Sequence, residues 1–206
     1  MPHRYRKESQ LCQDEHVDVA IIGAGAAGLF AALWAGRNSE GHPIRIAVFD
    51  GAKKLGAKIL VAGGGRCNVT HRRVTEHDFS GSSPAAIRKV LRRFSVAQTI
   101  QFFSNAGVEL KEEETGKLFP ITDSARTVLN ALIDKAKEVH VSITHPARVT
   151  DIEQLPATGT ASSVKQEPRF RVVLEDGTVL ARHVIVCTGG KSLPKSGSDG
   201  SGYRLV

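Results

Sequence analysis

The stretch VDVAIIGAGAAGLFAALWAGRN, residues 17–38, decides the fold of this 206-residue chain. Its first six residues are mostly apolar, which predicts a strand that is buried on both faces. Three glycines follow with the spacing Gly23-x-Gly25-x-x-Gly28, and residues 26–37 are predicted to form a helix. A strand, a glycine turn and a helix in this order predict the start of a parallel crossover in an α/β protein.

Each glycine of this turn has a separate task in a dinucleotide-binding site. Gly23 permits the tight turn, Gly25 lets a pyrophosphate approach the backbone, and Gly28 lets the helix pack close to the strand. The N-terminus of the helix offers free N–H groups and a partial positive charge to the phosphates. A second predicted strand, residues 44–50, ends at Asp50, 22 residues after Gly28, where an acid would bind a ribose hydroxyl. The pattern predicts a dinucleotide site; the alternative is an ordinary glycine-rich turn.

The rest of the chain is predicted to complete a doubly wound sheet that carries a β-meander flap. The polar residues 1–16 are interpreted as a disordered leader, and residues 17–206 as one domain. Apolar spacing predicts amphipathic helices within residues 83–94, 96–107 and 123–138, and the first of these places Ile87, Val90, Leu91 and Phe94 on one face. A small hairpin around Thr115-Gly116 is predicted in the segment 112–120. Further strands are predicted in the segments 141–155 and 170–186, and the last segment turns at Asp176-Gly177.

The composition limits the classes of function. No apolar run approaches the ~20 residues that span a bilayer, so no membrane partner is expected. The three cysteines, Cys12, Cys67 and Cys187, are far apart, which argues against a disulfide framework or a zinc site and favours a reducing cytoplasm. No metal site is predicted.

Much of the positive charge of this chain, whose net charge is +7, lies in the segment from Lys53 to Arg93. Such a segment is either a solvated face or a surface that attracts anions such as phosphates. Because no aromatic residues alternate with the cations, nucleic acid is not the expected partner. Against two acids, Glu76 and Asp78, the segment contains the basic residues Lys53, Lys54, Lys58, Arg66, Arg72, Arg73, Arg88, Lys89, Arg92 and Arg93.

Five segments of this chain resemble the BaiN/RdsA-like family of bacterial NAD(P)/FAD-dependent oxidoreductases, which is also described as aminoacetone-oxidase-like. Two features depart from the family pattern: Asp50 stands where glutamate is more usual, and Cys187 stands where alanine is more usual. The matching segments are DVAIIGAGAAGLFAAL (18–33), KLGAKILVAGGGRCNVTH (54–71), GKLFP (116–120), SARTVLNAL (124–132) and VIVCTGGKSLPKSGSDGSGY (184–203).

The resemblance implies a Rossmann-like FAD-binding domain of the glutathione-reductase type, with three layers. It further implies hydride transfer through flavin N5, with NAD(P)H or a small organic substrate as the donor. Family members are about twice as long, so the chain is expected to be the N-terminal half of the family pattern. Two other functions stay open: a flavoprotein that acts on RNA, and a truncated, non-catalytic nucleotide-binding module.

The segment GGGRCNVTH, residues 63–71, raises the question of what Cys67 does. A dithiol flavin reductase needs a second cysteine a few residues away, and none is present, so Cys67 is a weak catalytic candidate. A structural or flavin-adjacent thiol is the preferred interpretation. No histidine is assigned a catalytic role, and Val149 is included because related flavoproteins use a backbone contact to adenine at that strand. The predicted cofactor-binding residues are Gly23, Gly25, Ala26, Ala27, Gly28, Asp50, Gly51, Lys58, Gly64, Gly65, Arg66, Cys67, Asn68, Val149, Thr188, Gly189 and Gly190.

Overall fold

The computed structural model describes residues 15–37, 44–156, 167–192, 194 and 197–206. These residues form two compact units: the first runs up to Lys58 and resumes at Ile133, and the second is Ile59–Leu132. Most of the predicted leader, including Cys12, lies outside the described residues, and so do residues 157–166 of the loop before the last hairpin.

The helices and strands alternate at the start of the chain, as the opening stretch predicts. The helices are α1 (Ala26–Arg37), α2 (Ala57–Val61), α3 (Pro84–Leu91), α4 (Val96–Asn105) and α5 (Ala125–Glu138). The strands are β1 (Glu15–Ile22), β2 (Ile46–Phe49), β3 (Thr70–His71), β4 (Leu110–Glu112), β5 (Lys117–Pro120), β6 (Ser142–Thr144), β7 (Val149–Gln154), β8 (Phe170–Leu174) and β9 (Gly177–Val186).

The first unit is built on a six-stranded sheet with the order β6-β2-β1-β9-β8-β7. Strand β1 lies parallel to both β2 and β9, and Ile22 pairs with Phe49 on one side and with Val186 on the other. The register therefore brings the carboxyl ends of three strands to one edge, where ligands bind in open α/β sheets. Strands β7, β8 and β9 are antiparallel neighbours and form the predicted meander.

The burial of its strands and of α1 explains why the fold of the first unit could be predicted from the sequence. All four residues of β2 are buried, as expected for a parallel strand covered on both faces. Helix α1 contributes Leu29 and Leu33 to the core, with 0% and 1% of their surface exposed. Its last turn also packs closely, because a Cβ on Gly36 would lie 2.6 Å from a methyl carbon of Val139. The predicted α/β fold with a parallel sheet is confirmed, and β1 begins two residues earlier than predicted, at Glu15.

The second unit contains a small antiparallel sheet, β3-β5-β4, together with α3, α4 and the first part of α5. Helix α4 begins with a capping box, in which Ser95 and Gln98 satisfy each other's backbone N–H groups. Helix α3 begins at Pro84 as predicted, but none of its residues is buried, and Val90 of its apolar face is 70% exposed. Strand β3 was not predicted from the sequence.

Candidate functional site

The glycine turn after β1 is shaped by close contacts inside the first unit. Gly23 has φ +103°, and a Cβ on it would lie 2.6 Å from the carbonyl oxygen of Cys187, at the end of β9. A Cβ on Gly28 would lie only 1.8 Å from the carbonyl oxygen of Gly23. Real Cβ atoms do not approach this closely, so both positions require glycine for the packing of the turn itself.

Gly25 differs from the other two glycines of the turn. A Cβ placed on it would meet no atom of the described residues within 4 Å, and its φ lies outside the left-handed region. Its carbonyl accepts a hydrogen bond from the N–H of Leu29 at 3.0 Å, which closes the first turn of α1. The first turn of α1 contains no acidic residue, so its partial positive charge is not neutralised locally. The space in front of Gly25 therefore fits a phosphate group.

Asp50, the predicted ribose-binding acid, follows β2 directly and is half-buried. Its Oδ2 accepts a hydrogen bond from the N–H of Ala24 at 2.6 Å, and its Oδ1 accepts one from Ala52 at 2.8 Å. A carboxylate has about four acceptor positions, so these two bonds leave capacity for a hydroxyl of a ligand. The structure thus brings the predicted acid and the predicted phosphate turn together.

Two further predicted segments lie at the same edge of the sheet. Gly51 packs on Arg148, the residue before Val149, which begins β7 and is 6% exposed. Thr188 and Gly189 follow β9, and Gly189 has φ +74°, a conformation that favours glycine. Lys58 donates a hydrogen bond to Oγ of Ser192 at 2.6 Å, which ties this predicted cation to the segment after β9.

The second unit carries the other predicted group, the loop that contains Gly64, Gly65, Arg66, Cys67 and Asn68. Both glycines have positive φ, +68° and +88°. Arg66 donates a short hydrogen bond to the carboxylate of Glu113 and stacks on the ring of Phe119, with its guanidinium carbon 4.2 Å from the ring centroid. These contacts hold the loop against β5, through Phe119. A role of Arg66 in cofactor binding stays a prediction.

Cys67 is a buried thiol with strained backbone. It is 7% exposed and has φ +65°, and its N–H donates to the carbonyl of Ala62 at 2.9 Å. Burial raises the pKa of the Cys67 thiol, which lowers its thiolate fraction at neutral pH. This favours the structural interpretation over a nucleophile. No cluster of His, Cys, Asp or Glu within the described residues could hold a metal ion.

The second unit also contains a cavity of about 540 Å³ that the sequence did not predict. Its wall includes the exposed side of Asn68, and Arg88 and Arg92 lie among apolar side chains such as Leu91 and Phe94. The contacts of Arg148 were likewise not predicted from the sequence, because its partner Asp199 lies 51 residues away. No local pattern marks such a pair.

Comparison with known proteins shows which sequences and structures this chain is similar to. Residues 17–206 match the family described as the HI0933-like protein Rossmann domain. The chain is 33% identical over 189 residues to the 3-dehydro-bile acid delta(4,6)-reductase of Clostridium scindens, covering 91% of this chain and 42% of that protein. It is 31% identical over 192 residues to the ribosomal RNA dihydrouridine synthase of Escherichia coli, covering 93% of this chain and 44% of that protein. The chain therefore spans less than half the length of these curated relatives.

Solved structures share the fold at lower sequence identity. The 3-ketosteroid-delta4-(5alpha)-dehydrogenase of Rhodococcus jostii matches with a TM-score of 0.61 and 16% identity, over 87% of this chain and 47% of that chain. The quinol fumarate reductase FrdA of E. coli matches with a TM-score of 0.60 and 17% identity, over 87% of this chain and 33% of that chain. In the described part of the chain, no helix is both long enough and apolar enough to cross a bilayer.

Proposed function

The chain belongs to the HI0933-like protein Rossmann domain family, and we propose that it forms the dinucleotide-binding part of an FAD-dependent oxidoreductase. One observation carries the proposal. At the carboxyl edge of the sheet, the open space in front of Gly25 lies beside Asp50, whose carboxylate is held by the N–H of Ala24 at 2.6 Å. Together they would provide a pyrophosphate position on the glycine turn and a ribose position beside it, at the end of β2.

FAD is favoured over a nicotinamide dinucleotide by the relatives and by the resemblance described above. FAD, when bound, supplies the hydride chemistry at flavin N5, and the chain binds and orients it. Gly23 and Gly28 set the turn, Gly25 and the N-terminus of α1 receive the pyrophosphate, and Asp50 binds the ribose. The segment Thr188–Gly190 lies at the end of the neighbouring strand β9 and completes this edge. NAD(P)H is the proposed electron donor.

The names of the two curated relatives indicate a reaction class. A delta(4,6)-reductase removes carbon–carbon double bonds, and a dihydrouridine synthase makes a reduced pyrimidine. Both reactions add two hydrogens across a carbon–carbon double bond. We therefore propose that the substrate of this protein is an organic molecule with such a bond. A cytoplasmic location is part of the same proposal, and it fits the free thiols of Cys67 and Cys187.

The test is a titration of the purified chain with FAD, followed by visible absorption, with NAD⁺ as the comparison ligand. We expect a bound-flavin spectrum, no competition by NAD⁺ at equal concentration, and bleaching when NADH or NADPH is added without oxygen. A chain that binds NAD⁺ and takes up no FAD would overturn the assignment of the cofactor. A bound flavin that neither nucleotide bleaches would overturn the assignment of the donor.

An RNA substrate is a second candidate, and four exposed cations of the second unit favour it. Arg73, Lys89, Arg92 and Arg93 are exposed, and their side chains make no salt bridge with any described residue. Such cations can bind phosphates, and RNA affinity would then fall steeply with salt concentration. Replacing Arg92 and Arg93 together by glutamine should lower the salt slope by about two. The control is Lys135→Gln, because Lys135 is already paired with Glu138.

A further inference from the structure

The strands β2 and β9 flank β1, and their carboxyl ends carry the residues proposed to bind the two sides of FAD. Asp50 and Gly51 follow β2, and Thr188 and Gly189 follow β9. Because β1 ends between them at the glycine turn, the distance between these two strand ends sets the width of the cofactor site. A side chain that contacts both ends can therefore position the cofactor.

Arg148 is fixed at the end of β2. The N–H of the preceding residue, Ala147, donates to the carbonyl of Asp50 at 2.7 Å. The stem of Arg148 covers Gly51, because a Cβ on Gly51 would lie 3.1 Å from both Cβ and Cγ of Arg148. In addition, the carbonyl of Arg148 accepts a hydrogen bond from the N–H of Glu175 at 3.1 Å. These contacts hold the arginine against the residue that follows the ribose-binding acid.

The guanidinium of Arg148 reaches the segment that follows β9. It donates to Oδ2 of Asp199, while Oδ1 of Asp199 accepts the N–H of Ser201 at 2.9 Å. The side chains of Arg148 and Asp199 are 37% and 31% exposed, so the pair is partly shielded from water. The hydrogen bond from Arg148, followed by that from Ser201, holds the pKa of Asp199 well below its usual range. The pair is therefore ionised throughout the neutral range.

Asp199 in turn belongs to a segment that packs on Thr188 and Gly189. The neighbouring Ser198 is 4% exposed, and its Oγ lies 3.0 Å from the position of a Cβ on Gly189. A Cβ on Gly202 would lie 2.0 Å from Oγ1 of Thr188. The position of Asp199 thus determines how the chain covers the end of β9.

We propose that Arg148 and Asp199 form a latch that holds the segments that follow β2 and β9 at the spacing that FAD requires. The inference rests on the proposed function and assigns both side chains as positioning residues. Neither is required to touch the cofactor. Arg148 acts through Gly51 and Asp50, and Asp199 acts through Ser198 and Gly202 on the segment Thr188–Gly189.

The experiment measures the dissociation constant of FAD for the full chain and for matched variants. Asp199→Asn removes the charge but keeps the acceptor for the N–H of Ser201, and we expect FAD binding to weaken about tenfold. Asp199→Glu keeps the charge and should retain affinity within about threefold of the natural chain. The control is Glu153→Gln, which breaks the exposed Arg171–Glu153 pair between β7 and β8 and should change FAD affinity by less than about twofold.

The order of the FAD affinities of Asp199→Asn and Asp199→Glu distinguishes positioning by charge from a purely structural role of the side chain. Asn has the shape of Asp, so a purely structural role predicts that Asn retains more affinity than Glu. The latch predicts the reverse order. Arg148→Gln should match Asp199→Asn, and the double variant should bind FAD no more weakly than either single variant, because both remove one interaction.

The possible failures are distinguishable. A natural chain that takes up no FAD overturns the proposed function, and the latch with it. FAD binding by the natural chain that is unchanged in Asp199→Asn and Arg148→Gln overturns the latch alone. Additive losses in the double variant also overturn it, because they show that the two side chains act separately.

Discussion

The two glycine-rich segments of this chain, GAGAAG in the first unit and GGGRCN in the second, use glycine in different ways. In the first, Gly23 and Gly28 are required by backbone atoms of the chain itself, and Gly25 faces open space. In the second, a Cβ on Gly63 would lie 2.7 Å from the ring of Phe119, whereas Gly64 faces open space with φ +68°. Glycines whose Cβ position is open are the ones that a ligand can approach.

Gly28→Ala should lower the free energy of unfolding more than any other substitution proposed here. It tests whether the chain's own packing requires glycine at this position. The new methyl carbon would fall 1.8 Å from the carbonyl oxygen of Gly23, so the turn and α1 must move apart. We expect a loss of about 3 kcal/mol or more in the free energy of unfolding. Urea unfolding followed by circular dichroism measures it. A variant as stable as the natural chain would show that the turn is not packed as described.

Asp50→Ala should cost less, because it removes hydrogen bonds and leaves the packing of the turn in place. The N–H groups of Ala24 and Ala52 lose their acceptor, and we expect a loss of about 2 kcal/mol in the same unfolding measurement. Asp50→Asn is the matched control, since its amide oxygen can still accept one of the two bonds. Equal losses for Ala and Asn would contradict the role assigned to these bonds.

Gly64→Ala tests the glycine-rich loop of the second unit. Here we expect the substitution to strain the backbone and not to cause a steric clash. No atom in the described part of the chain lies within 4 Å of the new methyl group, but the left-handed backbone costs an alanine about 1 kcal/mol. Gly64→Asn should cost less, since asparagine adopts this conformation more readily. Thermal unfolding of the two variants gives the comparison. An alanine variant more stable than the asparagine variant would rule out the left-handed conformation at this position.

The ionisation of the Cys67 thiol should have the smallest effect on the free energy of unfolding. Burial raises the pKa of this thiol in the folded chain. Its contribution to the free energy of unfolding is therefore complete below the unfolded pKa of about 8.5 and is lost as the pH rises toward the folded pKa. The same shift makes the native thiol slow to alkylate. At pH 8 we expect iodoacetamide to modify Cys67 at least about tenfold more slowly in the folded chain than in urea. Peptide mass spectrometry reports this site separately from the other cysteines, and fast native alkylation would restore Cys67 as a nucleophile.

The first unit could be predicted because its requirements are local. The run that forms β2 is apolar because the strand is buried on both faces. Gly23 precedes α1, and Gly28 lies in its first turn, so both are marked by the start of the helix at Ala26. Asp50 could be identified because a strand end fixes its position. The sequence thus predicts the fold and the phosphate and ribose positions of the candidate site.

The second unit and the long-range contacts could not be predicted in the same way. The apolar spacing of α3 indicates a buried face, yet none of its residues is buried. Arg66 has a basic side chain inside a glycine run, which suggests an anion partner, but in the structure it pairs with Glu113, 47 residues away. Arg148 and Asp199, which also pair, are 51 residues apart. Charge in a sequence does not specify its partner, because the pairing depends on how distant strands are arranged.

The affinity of Gly25→Ala for FAD tests the central claim most directly. Among the residues that the structure describes, no atom lies within 4 Å of the new methyl group, so the variant should unfold within about 1 kcal/mol of the natural chain. If a pyrophosphate occupies the space in front of Gly25, the dissociation constant of FAD should rise at least about tenfold, measured by calorimetric titration of both chains. A variant that folds normally and binds FAD as tightly as the natural chain would contradict the account, because the open side of the turn would not be the cofactor site.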